Sequence, residues 1–174
     1  MNLAIQKVTP EQVDALHAIL EQCGLDMQAK FGLSHWIPAY PLERLREDAQ
    51  VKSVYAVYDH DRIIATFTIG MQVPYYYTAS IWQNPDAKAL YVNHLAVLPE
   101  YQGKGVGTWC MQTTEQLAIA EGCDAVRLDA YDQHVKLHEF YRRLGYQERG
   151  TAHIVTKSRK EGDTMYFEKV LRTG

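Results

Sequence analysis

The sequence predicts a mixed α/β fold on one sheet of about seven strands. Three observations carry this expectation. Short β-rich runs are interspersed with segments of helical apolar spacing. One strand–helix–strand unit, 89–98, 106–121 and 125–131, reads as a right-handed crossover with its two strands parallel. Two pairs of strands separated by short polar turns read as antiparallel hairpins.

The elements follow in order. "LAIQKV" (3–8) alternates like a short strand. Thr9, Pro10 and Glu11 supply an N-cap, a first-turn proline and an early acid, opening a helix to about Gln22 with Val13, Leu16, Leu20 and Cys23 on one face. Residues 31–41, "FGLSHWIPAYP", are aromatic and broken by two prolines, so they read as irregular; Leu42 to Asp48 follows as a short helix. "VYAVYDHDRIIATFTIG" (54–70) is a hairpin turning at His60-Asp61, and "VPYYYTASIWQNPDA" (73–87) a long aromatic connection. After strand 89–98 comes a helix over 106–121 with Val106, Cys110, Thr113, Leu117 and Ala120 on one face and Gly122 as its stop. Strand 125–131 leads to a helix over 134–144 ended by Gly145. "YQERGTAHIV" and "TMYFEKVL" then pair around the turn "KSRKEGD" (157–163).

Length and composition bound the function. The 174 residues fit one domain, 1–174, able to bury roughly two-thirds of its unfolded surface. A net charge of −3 offers no broad basic field for nucleic acid or an anionic membrane. No apolar run approaches the roughly 18 residues a membrane span needs. Cys23, Cys110 and Cys123 are odd in number, lack metal-ligand spacing and follow no basic-then-apolar leader, which points to a reducing, cytoplasmic compartment and no metal.

Three glycines within 103–107 stand between a strand and a helix. That succession makes an anion site: the first helical N–H groups have no intrahelical partners, the macrodipole adds positive charge, and glycine admits a phosphate close to the backbone. The Walker pattern fails because Gly105, not Ser or Thr, follows Gly103-Lys104; the G-x-G-x-x-G pattern fails at Thr108 and Cys110 in its two frames. Gln102, Gly105 and Gly107 satisfy Gln/Arg-x-x-Gly-x-Gly.

"LAVLPEYQGKGVG" resembles the acetyl-CoA-binding motif of the GNAT superfamily of N-acetyltransferases, and the resemblance continues through "RLDAY" and "HEFYRRLGY" over residues 89 to 146. It implies a GNAT-like domain: a mostly antiparallel sheet with a central parallel pair that splays apart, and helices on both faces. The implied reaction carries an acetyl group from acetyl-CoA to a primary amine of a small molecule or peptide by direct attack in a ternary complex, releasing coenzyme A. The resemblance places the pyrophosphate on Gln102, Gly103, Lys104, Gly105, Val106, Gly107 and Thr108, with the Lys104 side chain turned to phosphate or to solvent. The pantetheine arm is expected on a bulge near Leu95, Ala96 and Val97, whose freed groups can also polarise the thioester carbonyl.

Tyr141 stands where the family keeps its general acid. A phenol, with an ordinary pKa near 10, is protonated at neutral pH and can donate to a leaving thiolate; a core stripe with Leu137, Phe140 and Leu144 is the bland alternative. His134 replaces a common asparagine, and either reaches the cofactor or caps its helix. His94 lies on the face opposite Asn93 by alternation and reads as structural. Deprotonation of the amine is therefore expected through water, with Asn93 and Asp129 along the path. Trp36, Tyr40 and Tyr77, with Tyr75, Tyr76 and Trp82, either line an acceptor pocket or tack their loops onto the sheet. Polyamine, amino sugar, amino acid, antibiotic and peptide terminus all stay open as acceptors. The competing classes are a non-catalytic acyl-CoA-binding module and an acetyltransferase acting on charged tRNA. The net charge disfavours the latter, although "KSRK" (157–160) is locally basic. No nucleic acid or membrane partner is expected; a homodimer is expected only because dimers are common in the family.

Overall fold

The computed structural model describes residues 1–157 and 161–171. Its strands are β1 (Leu3–Lys7), β2 (Ser53–Asp59), β3 (Arg62–Gly70), β4 (Ala89–Val97), β5 (Ala125–Tyr131), β6 (Gln147–Val155) and β7 (Glu161–Val170). They form one seven-stranded mixed sheet in the order β1-β2-β3-β4-β5-β7-β6. The helices are α1 (Asp14–Phe31), α2 (Leu42–Val51), α3 (Val106–Ala120) and α4 (Val135–Arg143). The chain divides into two compact units, Met1–Gly70 with Asn93–Cys110, and Met71–Val92 with Met111–Gly174.

In the first unit β1, β2 and β3 are antiparallel, with Leu3 opposite Asp59 and Ser53 opposite Ile69. The expected turn at His60-Asp61 is present, and His60 takes a left-handed φ of 54°. Thr9-Pro10-Glu11 starts a 3-10 turn over Pro10–Gln12 rather than the long helix, with Gln12 Oε1 accepting the Thr9 N–H at 2.9 Å. Helix α1 then begins at Asp14 and runs past the expected end at Gln22 to Phe31, where Gly32 closes it at φ 68°. Gly24 does not stop it, because that glycine is a packing contact: a Cβ there would lie 2.7 Å from the Trp36 carbonyl oxygen. Met27, Gln28, Ala29 and Lys30 are good helix formers, and Lys30 pairs with Asp26 at 2.9 Å.

The Gly24 contact makes a prediction. Forcing a methyl group into it costs about 1–3 kcal/mol, which outweighs the ~1 kcal/mol that alanine gains in helix propensity. Gly24→Ala is therefore expected to lower the urea midpoint; an unchanged or higher midpoint would refute the close approach.

The core of this unit gathers Val13, Leu16, Leu20 and Cys23 from the expected face of α1, Leu45 and Ala49 from α2, Val54 and Ala56 from β2, and Ala96 and Leu98. Helix α2 extends beyond the expected Asp48 to Val51, and Asp48 is itself buried and paired with Lys52 at 3.0 Å.

In the second unit β5 is antiparallel to β7, and β7 to β6, with a register shift at Gly150. The expected parallel pair is present: Ala89 faces Ala125, Leu90 faces Val126, and Tyr91 faces Arg127. Gly122 and Gly145 end α3 and α4 as expected, at φ 72° and 88°. The buried residues of α3 are Val106, Cys110, Met111, Thr114 and Ala118, whereas Ala120 of the expected face is exposed. Strand β7 begins inside the expected turn 157–163, of which residues 158–160 lie outside those described, as does most of the basic "KSRK".

An ion network holds part of the aromatic connection in this unit. Arg127 and Glu168 are each 1% exposed and meet at 2.7 Å, and Arg149 joins Glu168 at 2.9 Å. Glu168 also accepts the Gln83 N–H at 3.0 Å, while Arg127 donates to the Asn84 carbonyl at 2.6 Å and lies 4.8 Å from the Trp82 ring. Arg127 and Glu168, desolvated together while Arg149 keeps 18% exposure, stay bearable only because hydrogen bonds satisfy them. Trp82 thus tacks its loop down.

Candidate active site

The glycine loop and the second half of β4 belong to the first unit. After β4, a 3-10 turn over Pro99–Tyr101 leads into the loop, and α3 starts with the Trp109 N–H on the Gly105 carbonyl at 3.0 Å. The amides of Val106, Gly107 and Thr108 precede that first bond and stand outside the helical ladder. Gly103 and Gly105 have φ of 69° and 86°, and a Cβ at either would meet nothing within 4 Å. Backbone conformation, not side-chain crowding, requires glycine at these two positions. The result is an exposed turn that opens onto unpaired N–H groups at the positive end of a 15-residue helix.

The Gln102 side chain beside the loop is already committed. Gln102 Nε2 donates to the Val97 carbonyl at 2.9 Å, which also receives the Cys23 thiol from α1 at 3.1 Å. Burial pushes that thiol up to about 12, so it serves as a hydrogen-bond donor and not as a nucleophile. Lys104 is exposed, with Nζ 5.6 Å from the Tyr101 ring, and Arg62 approaches the same ring at 5.4 Å.

The expected irregularity in β4 falls one residue before Leu95, at His94, whose φ is 53°. Ala96 turns into the core of the unit, and Asn93, Leu95 and Val97 are half-buried. The His94 ring stacks on Tyr40 with centroids 4.0 Å apart. Its Nδ1 is sealed from solvent without a hydrogen-bond partner, and burial holds its pKa down at about 4. Trp36 and Tyr40 both pack against the core of this unit.

In the second unit Tyr141 projects from α4 with 5% exposure, its ring 5.4 Å from Phe167 and 5.8 Å from Tyr146. His134 caps that helix: Nδ1 accepts the Leu137 N–H at 3.3 Å, and burial followed by neighbouring His138 lowers its pKa. Asp129 on β5 is a carboxylate held by hydroxyls. Tyr77 donates to Oδ1 at 2.5 Å and Thr164 to Oδ2 at 2.8 Å, with the Tyr76 hydroxyl 3.5 Å from Oδ1. Burial raises the Asp129 pKa despite these donors, and burial and then the Asp129 charge raise that of Tyr77. Tyr77 also packs edge-on against Tyr166 at 4.9 Å and lies 5.6 Å from Trp82.

The structure therefore joins Asp129 to Tyr77 and joins Tyr40 to His94. It also assigns work to residues that the sequence did not single out: Thr164, the Cys23 thiol, and the Arg127–Glu168 pair. Each acts across 35 or more positions, Thr164 on Asp129 at 35 and Arg127 on Glu168 at 41, so no local pattern announces them. Among the described residues, no group of three or more His, Cys, Asp or Glu could hold a metal ion, and no helix is long and apolar enough to cross a membrane.

Known proteins resemble this chain in part of its sequence and in its fold. A thialysine N-epsilon-acetyltransferase from Bos taurus is 30% identical over 91 residues, 52% of this chain; the chain spans about half the length of that curated relative, 52%. A GNAT-family acetyltransferase from Listeria monocytogenes superposes with a TM-score of 0.76 at 13% identity, covering 97% of this chain and 94% of that one. An N-acetyltransferase from Staphylococcus aureus gives 0.68 at 15% identity, over 99% and 100%. At such identities the two structures establish the fold alone. The sequence profile of the Acetyltransferase (GNAT) family matches residues 14–146, from the start of α1 to beyond the stop of α4. With that profile laid over the glycine loop, the irregular strand before it and the tyrosine of α4, the chain belongs to the Acetyltransferase (GNAT) family.

Proposed function

We propose that this protein is an N-acetyltransferase that moves an acetyl group from acetyl-CoA to a primary amine by direct attack. The observation that carries the reading is the start of α3: unpaired amides at a helix N-terminus, reached through two left-handed glycines with no side chain in the way. Those features fit a diphosphate. The amides from Gly103 to Thr108 grip it, with Lys104 adding charge and Gln102 fixing the turn through Val97. The backbone of Leu95, Ala96 and Val97 holds the pantetheine arm. When bound, acetyl-CoA supplies a thioester and, on acyl transfer, a thiolate leaving group.

This chain's residues manage the protons. Tyr141 donates to the departing sulfur. The attacking nitrogen must be neutral, and its proton leaves through water toward Asp129, a carboxylate whose raised pKa makes it a better acceptor than an ordinary one. Asn93 orders that water. His94, neutral and packed, takes no proton at pH 7. The bovine relative's name makes a lysine-like side-chain amine the first acceptor to try.

The test is an amine panel that includes thialysine, lysine, polyamines and amino sugars, with acetyl-CoA, free-thiol detection and mass spectrometry of the product. Thiol release with an acetylated amine is the expected result. Failure to bind coenzyme A overturns the reading; binding without thiol release from any amine makes the protein a non-catalytic acyl-CoA module.

A further inference from the structure

His94 is the one residue of β4 in left-handed backbone space. Histidine visits that region more readily than most side chains, yet at a cost, and such a conformation persists only where the surroundings over-determine it. The ring makes no hydrogen bond through Nδ1, which is buried and unpartnered. The ring packs instead on Tyr40, stacked at 4.0 Å and 29°. Tyr40 is anchored in turn by the core of the first unit. The charged groups that act on His94 are Asp48, which is buried, and Lys52, its ion-pair partner. Three positions along the strand, the Val97 carbonyl is pinned by Cys23 and Gln102. The stretch proposed for the pantetheine arm is thus fixed at both ends by side chains.

We propose that Tyr40 and His94 are positioning residues for acetyl-CoA: their stack holds the left-handed turn of β4, which aims the N–H and C=O groups of Leu95 and Ala96 and the N–H of Val97 at the pantetheine arm. This rests on the function proposed above. It separates two roles that a histidine in this strand could fill, because a positioning histidine changes cofactor affinity and a basic one changes turnover. It also reassigns Tyr40, expected at the acceptor, to the cofactor strand.

The experiment measures acetyl-CoA binding by calorimetry. Wild-type protein comes first: if it fails to bind, the proposed function falls and the stack is not at issue. Given wild-type binding, Tyr40→Leu is expected to weaken the Kd by about tenfold, and Tyr40→Phe, which keeps the ring, to restore it. Tyr55→Leu removes another stacked pair of the same unit, Tyr55 on Phe67 at 5.2 Å, and is expected to leave the Kd alone. His94→Asn tolerates the left-handed turn but cannot stack as the ring does, and provides a second route if Tyr40→Leu does not fold. It is expected to raise the KM for acetyl-CoA about tenfold while kcat at saturation stays within about threefold and the pH–rate profile keeps its shape. Wild-type affinity in both folded variants overturns the proposal, as does equal weakening by Tyr55→Leu. So does a loss of kcat near 100-fold in His94→Asn with a pH limb removed, the signature of a base.

Discussion

Tyr141→Phe is expected to lower kcat by about two orders of magnitude, with the acetyl-CoA Kd close to wild type. General acid catalysis contributes about 10²–10⁴ in rate, and the substitution removes only the hydroxyl that supplies it. The ring stays packed: Phe140, Tyr146 and Phe167 all lie within 6 Å of it, centroid to centroid, at 5.1, 5.8 and 5.4 Å. A thiol ordinarily titrates near 8.5 and a phenol near 10, so a protonated tyrosine is available wherever a thiolate is forming. Tyr146 is the internal control. Its hydroxyl is committed to Glu115 at 3.1 Å, and burial followed by that carboxylate raises its pKa far out of range. Tyr146→Phe should therefore cost about 1 kcal/mol of stability and leave kcat alone. Steady-state kinetics at saturating acetyl-CoA decides: a Tyr141→Phe enzyme turning over like wild type removes the hydroxyl from the chemistry and returns Tyr141 to the core.

The parts of this fold that the sequence reveals are those with local causes. Strand β5 was legible to the residue because "AVRLDAY" is bounded by Gly122 and a polar turn, and the glycine loop because left-handed φ angles demand glycine wherever the rest of the chain lies. The misreadings have non-local causes. The expected end of α1 near Gln22 falls short of Phe31, and only the carbonyl of Trp36, twelve residues beyond Gly24 in a loop, explains why glycine sits inside a helix that continues. The spacing puts Val106, Cys110, Thr113, Leu117 and Ala120 on one face of α3, but packing buries Met111, Thr114 and Ala118 and leaves Ala120 exposed. Strand alternation makes His94 structural but cannot supply its partner, since Tyr40 comes from the segment before α2. Arg127 and Glu168 each look like ordinary strand charges. Their burial follows from pairing between β5 and β7, where Arg127 faces Glu168 directly.

The phosphate-binding role of the glycine loop can be tested by a substitution whose effects on stability and on binding have opposite signs. Thr108 is the third residue of α3 and half-buried, so Thr108→Glu sets a carboxylate in the first helical turn. For the folded protein alone this is favourable by about 0.3–1 kcal/mol, because a negative side chain there complements the helix dipole and the unpaired amides. For a diphosphate on the same amides it is adverse: two like charges about 4 Å apart near a surface repel by about 4 kcal/mol before salt screening. The expected result is an unchanged or higher melting temperature together with a roughly 100-fold weaker Kd for acetyl-CoA, a loss of about 2.7 kcal/mol. Thr108→Gln, of nearly the same size and uncharged, should lose far less affinity. The gap between the two variants should also narrow as ionic strength rises and the Debye length falls to about 3 Å at 1 M. Wild-type affinity in a stabilised Thr108→Glu protein would mean that the diphosphate does not lie at this helix terminus, because no relaxation of an exposed turn can bring two such charges together without cost.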